Sequence, residues 1–375
     1  MKKQILLLVV AFINILIANN SLVNSQTILT NPPQTIVSLA WSPNGQYLAQ
    51  LKSNGTLQVL QAGDLSVVFN FNAGVSQSIF RGVVTWSNDG SKLSAGIEQN
   101  IYIWTAPQFQ LTHTLIGGGG VALVSTEGDY RIPEGFLSLV WNQASNQLMA
   151  QSISMRLTLW SYPSGNLILD TRIRGPQVNY VWLPDESGFT NGTTVYLFGG
   201  VEVTPLNRNR ITEATNLGGE TYTSINYLNT LIARLGVFGG VEIVNAITGN
   251  STAFYQINPN KKPLTSASWS SDGQKLAIVD DAGRLYLLNT QSGSITLLNT
   301  VNGKLFAVSW NPVNNQIAFG GVSNNNTTIA SVVSSNPIAC THNVTASSTS
   351  SLISAIVSAN ASSTPSTICL GGGTY

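Results

Sequence analysis

The chain has 375 residues, 43% of them hydrophobic, with a formal net charge of +1 and only 9% charged side chains, where about 25% is usual. Such a composition supports a sizeable core. It excludes a nucleic-acid binder, which needs a basic stripe to displace counterions from phosphates.

The first element is a targeting signal. Lys2 and Lys3 precede an apolar run from Ile5 to Ala18, interrupted by Asn14. Small or polar residues follow, with Val23 and Ser25 placed as a cleavage site requires. This order predicts a secretory signal peptide over 1–25. The run is short for a membrane span, which takes roughly 20 apolar residues, so cleavage is expected rather than anchoring. The rest of the chain is expected to be exported whole, as a secreted, periplasmic or cell-surface monomer with no membrane span.

A repeat then dominates residues 26–335. An aromatic residue is followed by a polar turn and by an apolar residue seven positions on. The pattern reads Trp41-Ser-Pro-Asn-Gly-Gln-Tyr-Leu48, Trp86-Ser-Asn-Asp-Gly-Ser-Lys-Leu93 and Trp269-Ser-Ser-Asp-Gly-Gln-Lys-Leu276. Weaker copies start at Trp141, Trp182 and Trp310, and a degenerate one at Tyr227, where Ile232 takes the apolar role. Successive aromatics lie 45, 55, 41, 45, 42 and 41 residues apart. A period of about 40–45 residues marks a β-propeller whose repeats are four-stranded blades. The predicted fold is therefore all-β, a seven-bladed propeller.

Strand signals agree. Val37, Leu39 and Trp41 alternate with Ser38 and Ala40, and Phe306, Val308 and Trp310 alternate with Ala307 and Ser309. This period of two gives each first strand a bulky face and a small one, and the small one permits close approach of neighbouring blades. Asn44-Gly45, Asp89-Gly90 and Asp272-Gly273 are expected to supply positive-φ positions of tight turns. Third strands follow at Thr56–Leu60, Ile101–Trp104, Leu157–Trp160 and Arg284–Leu288.

The segments Ile101-Tyr-Ile-Trp104-Thr-Ala and Leu157-Thr-Leu-Trp160-Ser-Tyr-Pro-Ser-Gly165 resemble the ends of WD repeats. The Ser-Pro-Asn-Gly and Ser-Asp-Gly turns resemble the start of the next hairpin. The pattern is also similar to TolB-like propeller repeats, and either family implies the same architecture. No Trp is followed by Asp, and the only histidines are His113 and His342. The buried Asp–His–Ser–Trp network of many WD repeats is therefore not expected. The resemblance implies a scaffold that binds protein or peptide. The alternative is an exported propeller that binds or acts on polysaccharide, which would bring carboxylates and aromatics together at the channel mouth.

Blade seven shows no fourth-strand signal after its third strand, and Gln26–Thr30 is expected to supply that outer strand and cover an open edge. The long step between Trp86 and Trp141 places extra chain near 117–135, holding Glu127, Asp129, Tyr130, Arg131 and Glu134. A long loop on a rigid scaffold makes a contact surface, and these five are the candidate binding residues. A solvated excursion is the plainer explanation. Two carboxylates are few for a calcium ion, which takes six to eight oxygens. Gly117–Gly120 lacks the Lys-Ser/Thr and helix start of a phosphate loop. His113 is expected on an exposed outer strand. Arg172 with Arg174, and Arg208 with Arg210, are read as edge charges. No catalytic set, metal site or cofactor is predicted.

From Asn336 the chain turns rich in Ser, Thr, Ala and Asn, with one amphipathic helix expected over 349–360. Cys340-Thr-His-Asn-Val, the helix, and Thr-Ile-Cys369-Leu-Gly-Gly-Gly-Thr-Tyr375 resemble the N-terminal cap of right-handed parallel β-helix domains of bacterial surface proteins. The resemblance implies that 336–375 is an incomplete cap, against the alternative of a disordered tail. Oxidised, Cys340 and Cys369 would close a loop of about 30 residues and stabilise the segment by roughly 3–4 kcal/mol. Free thiols, or a metal site shared with His342, are the alternatives.

Overall fold

The computed structural model describes residues 34–375 except 76–80, 118–121, 126–127, 132–134, 174–178, 192–194, 199–200, 204–216, 218–219, 227, 229, 336–341, 345–352, 355, 359–360, 362–367 and 371–375. The expected outer strand Gln26–Thr30, the signal segment 1–25, and Tyr227, Arg174, Arg208 and Arg210 lie outside these residues.

The protein is a seven-bladed β-propeller. In blade one, Ile36–Trp41, Tyr47–Lys52, Thr56–Gln61 and Val67–Asn72 pair antiparallel in chain order. Blades two to six repeat this four-stranded order. Blade seven has three strands among the described residues, Gly303–Trp310, Gln316–Ser323 and Thr328–Ser334. The first strand of each blade lies beside the first strands of both neighbours, and that of blade seven returns to that of blade one. The seven first strands therefore form a closed ring around the axis.

Register explains the seven-residue spacing. Trp41 stands opposite Leu48, Trp86 opposite Leu93, Trp141 opposite Leu148, Trp182 opposite Phe189, Trp269 opposite Leu276 and Trp310 opposite Ile317. In blade five this place belongs to Ile225, opposite Ile232, so its turn has the same length as the others.

Each turn is built by its own side chains. The Ser42 hydroxyl donates to Asn44 Oδ1 (2.7 Å) and accepts the Tyr47 N–H (2.9 Å). Ser87 and Ser270 do the same with Asp89 and Asp272, each at 2.5 Å. Only the glycine of each pair has positive φ, +66° at Gly45, +70° at Gly90 and +68° at Gly273. The Asn or Asp before it works through its carboxyl or amide oxygen, which accepts the N–H two residues on. In blades three and four the glycine place is taken by Ser145 and Glu186, both at φ 57°. Their side chains reach the preceding blade. The Ser145 hydroxyl accepts the Asp89 N–H (3.1 Å), and the Glu186 carboxylate accepts the Gln143 N–H (2.5 Å). Left-handed backbone strain at these two positions is offset by a bond between blades.

The core is a set of apolar layers, one between each pair of blades. Trp104 is fully buried between blades one and two against Phe69 and Phe71, with ring centroids at 5.8 and 5.1 Å. Trp160 packs in the next layer with Trp141 and Leu148. Blade four is the slightest. Its strands Val181–Trp182, Gly188–Thr190, Val195–Leu197 and Val201–Val203 are two or three residues long.

The tail carries a parallel pair, His342–Val344 beside Ile368–Leu370, with helical residues at 353–354 and 356–358. Cys369 stands opposite Asn343, and Cys340 lies outside the described residues.

Candidate functional site

The ring of first strands encloses a central channel of about 1100 Å3, lined by residues from all seven blades. Its wall begins with the small face of each strand. The Ser38 hydroxyl accepts the Val84 N–H (3.1 Å), Ser268 accepts that of Trp310 (2.9 Å), and Ser309 accepts that of Trp41 (3.1 Å). Ser138 both accepts from Tyr180 N–H (2.6 Å) and donates to its carbonyl (3.0 Å). The small residues thus do more than permit close approach, because their hydroxyls bond the next first strand.

The aromatic position adds a second set of bonds. The indole N–H groups of Trp86, Trp182 and Trp269 donate to the carbonyls of Ala40, Val140 and Ser224 at 3.1, 3.1 and 3.2 Å. Each acceptor immediately precedes the aromatic position of the preceding blade. Ile225 cannot donate in this way. At that junction the Asn179 side chain bonds both backbone groups of Thr223 instead, accepting its N–H at 2.6 Å.

The lumen that remains is lined by apolar and uncharged polar side chains and is almost without charge. Val37, Leu39, Val83, Val140, Ile225 and Phe306 are half-buried in its wall. Among the described residues Arg81 is the only charged side chain that lines it. Arg81 sits where the first strand of blade two begins, in phase with Val83 and Thr85 at alternate positions. Its backbone is held by the Phe136 N–H, which donates to the Arg81 carbonyl (3.4 Å). Gly135 makes this approach possible, since a Cβ there would lie 2.4 Å from that carbonyl oxygen. The guanidinium keeps solvent contact, yet the surrounding wall strips enough water from it to push its pKa below the usual arginine value. Burial raises the Tyr222 phenol on the opposite wall, partly countered by a hydrogen bond with Ser266.

Blade six brings acidic groups to the same end of the ring. Asp280 is fully buried. Its carboxylate accepts from Ala282 N–H (3.0 Å), Arg284 N–H (2.9 Å), Asn258 Nδ2 (2.7 Å) and Tyr286 O–H (3.3 Å). Four donors satisfy it, which marks it as a brace for the turn. Burial raises the neighbouring Asp281, against the opposing pull of Lys304 and Lys262. Neither carboxylate lines the channel.

The insertion after blade two contains a hairpin, Ala122–Ser125 paired antiparallel with Gly128–Arg131. Asp129, Tyr130 and Arg131 stand on its second strand, opposite Val124, Leu123 and Ala122. Glu127 and Glu134 lie outside the described residues. The connection leaves the outer strand Gln110–Ile116 and returns to the first strand Phe136–Trp141. It therefore begins and ends on the face where the first strands start, which is also the Arg81 end of the channel.

His113 does lie on an outer strand, but it is half-buried rather than fully exposed. Its Nε2 is 2.9 Å from the Pro163 carbonyl, and its ring lies 5.3 Å from that of Tyr162. It belongs to the contact between blades two and three. Arg172 ends an outer strand opposite Arg156, whose guanidinium grips Asp170 through two bonds of 2.8 Å. That contact holds the Asp170 carboxyl below its usual range. Among the described residues no group of three or more metal-ligating side chains occurs. Arg81 is the site residue that the sequence reading passed over. Its one signal was the alternation Arg81, Val83, Thr85 leading into Trp86. No protein-family model matches the chain, and no curated protein matches it.

Proposed function

We propose that the protein is an exported, non-catalytic propeller scaffold of WD-repeat type that binds a protein or peptide through the face where the first strands begin. The observation that carries this reading is the hairpin Ala122–Ser125/Gly128–Arg131, set on a connection that leaves and re-enters a closed ring on that face. A rigid scaffold bearing an extended hairpin offers a partner backbone edges and side chains without a large ordering cost. Export rests on Lys2, Lys3 and the apolar run Ile5–Ala18. Among the described residues no helix is long and apolar enough to cross a membrane. The tail's parallel strand pair supports its kinship with β-helix caps, and a Cys340–Cys369 disulfide would tie the two ends of that segment.

The polysaccharide reading asks for carboxylates and aromatics together at the channel mouth. The described lining includes Trp41, Trp86, Tyr222 and Phe306 but no carboxylate, which favours the scaffold. The test is a pull-down from the envelope and medium of the source organism. The full chain is compared with one in which 118–134 is replaced by a short Gly-Ser linker. A protein partner captured by the first and lost by the second is expected. Retention on polysaccharide with no protein partner would overturn the reading.

A further inference from the structure

The channel poses a recognition problem of its own, independent of any partner on the hairpin face. Its wall holds a single cation and no anion among the described residues. No hydrogen bond or ion pair engages the Arg81 guanidinium among those residues, while the other described arginines that pair, Arg156 and Arg234, bond Asp170 and Glu242. A lone charge in a cleft lined by uncharged residues raises the local concentration of a counter-charged ligand. Planar guanidinium matches carboxylate through two parallel bonds. A dianion would leave a second charge with no partner in this wall.

The wall also constrains the body of the ligand. The hydroxyls of Ser38, Ser138, Ser268 and Ser309 are already bonded across blade junctions, and Thr265 donates to the Leu305 carbonyl (2.7 Å). These hydroxyls are already engaged across the blade junctions, so they reward a ligand's polar groups less than free ones would. Val83, Val37 and Leu39 offer apolar surface on blade two and its neighbour blade one, and Phe306 continues it on blade seven. We propose that the channel binds an amphipathic monocarboxylate, its carboxylate on Arg81 and its alkyl chain along this apolar wall. The cavity of about 1100 Å3 is slightly larger than usual small-molecule sites, about 300–1,000 Å3, so a medium-length chain fits without rearrangement.

The experiment is calorimetric titration of the full chain with octanoate, hexanoate, octanol and octylamine. Octanoate is expected to bind, hexanoate roughly tenfold more weakly, and the alcohol and amine far more weakly than either. Arg81→Gln should weaken octanoate about 10- to 100-fold with no change in melting temperature, since the guanidinium bonds no other group among the described residues. Arg81→Lys should fall between, keeping the charge and losing the planar fork. N-acetylated tetravaline with a free carboxylate should bind more weakly than octanoate, because its amides meet bonded hydroxyls. Undiminished octanoate binding by Arg81→Gln would overturn the proposal and point to exposed outer-strand residues such as Val67 and Val68, which are 52% and 46% exposed. Equal binding of octanol, tighter binding of the peptide, or no binding of octanoate to the unaltered protein would each overturn it as well.

Discussion

Trp86, Trp182 and Trp269 each commit an indole N–H to the preceding blade, whereas the buried indole nitrogen of Trp41 finds no partner among the described residues. The four rings are all buried to a similar degree, so a change to phenylalanine removes similar area from each. Trp269→Phe also strands the Ser224 carbonyl, while Trp41→Phe removes an unsatisfied donor. The first should therefore destabilise by about 1–2 kcal/mol more than the second, read as the difference in urea midpoint at constant slope. Equal losses would mean that the indoles act by packing alone. The turn carboxylates make a second prediction. Hydrogen bonds from the Ser270 hydroxyl and the Gln274 N–H hold Asp272 below its usual range. At Asp89 burial pushes the other way, but Ser87, Ser91 and Lys92 together prevail and hold it low. Asp185 is lowered by the Ser187 hydroxyl and N–H. A depressed carboxyl contributes stability above its unfolded pKa, and that contribution is lost as pH falls through the folded value. Stability should thus hold from pH 8 to 5 and fall below about pH 4. Asp272→Asn keeps the acceptor oxygen, as Asn44 does in the same place, so it should soften the acid limb with little loss at pH 7. An unchanged acid limb in this variant would remove Asp272 from the account.

Blade four concentrates the weak features of the ring. Its strands are the shortest, its junction with blade five has no indole bond, and the apolar layer there is formed by Val181, Ile232, Val244, Ala246 and Ile225. Amide exchange should therefore open first in Val181–Trp182, Gly188–Thr190 and Val195–Leu197, and last in the strands of blade six, whose layers include Trp269, Leu276, Ile278 and Leu288. Uniform protection around the ring would show that closure levels these differences. Such differences explain which elements the sequence revealed. The seven-residue step from Trp to an apolar partner was readable because side-chain bonds fix the turn length in every blade. Blade five was misplaced by two residues because the pattern was keyed to aromatics, and Ile225 carries the position with an aliphatic. Positive φ at Ser145 and Glu186 left no glycine to find, since contacts with another blade replace it. The channel wall was half legible. The Ser/Val alternation was plain, but which hydroxyls bond a neighbour depends on how blades meet, and Arg81 lies just outside the repeat that drew attention.

Ring closure sets two chemically alike bonds at very different distances along the chain. Ser268 joins the first strands of blades six and seven through the Trp310 N–H, 42 residues away, whereas Ser309 joins blades seven and one through the Trp41 N–H, 268 residues away. Two further bonds support the second junction, from Asn311 Nδ2 to the Gly45 carbonyl (3.2 Å) and from the Thr328 hydroxyl to the Gln34 carbonyl. Closing the longer loop costs roughly 1–2 kcal/mol more in chain entropy, so the last junction should form late in folding. Either Ser→Ala change leaves an N–H without its partner and should cost about 1–3 kcal/mol at equilibrium. Their kinetics should differ. Ser309→Ala should mainly speed unfolding, because its bond is absent from the transition state, while Ser268→Ala should also slow folding. Stopped-flow chevrons of both variants decide the point, provided each equilibrium loss exceeds about 0.6 kcal/mol. If Ser309→Ala slows folding as much as Ser268→Ala, the chain ends dock early and blades fill in a ring already closed. If only the unfolding arm moves, the propeller grows blade by blade and the junction of blades seven and one is the latch that makes seven marginal units one cooperative molecule.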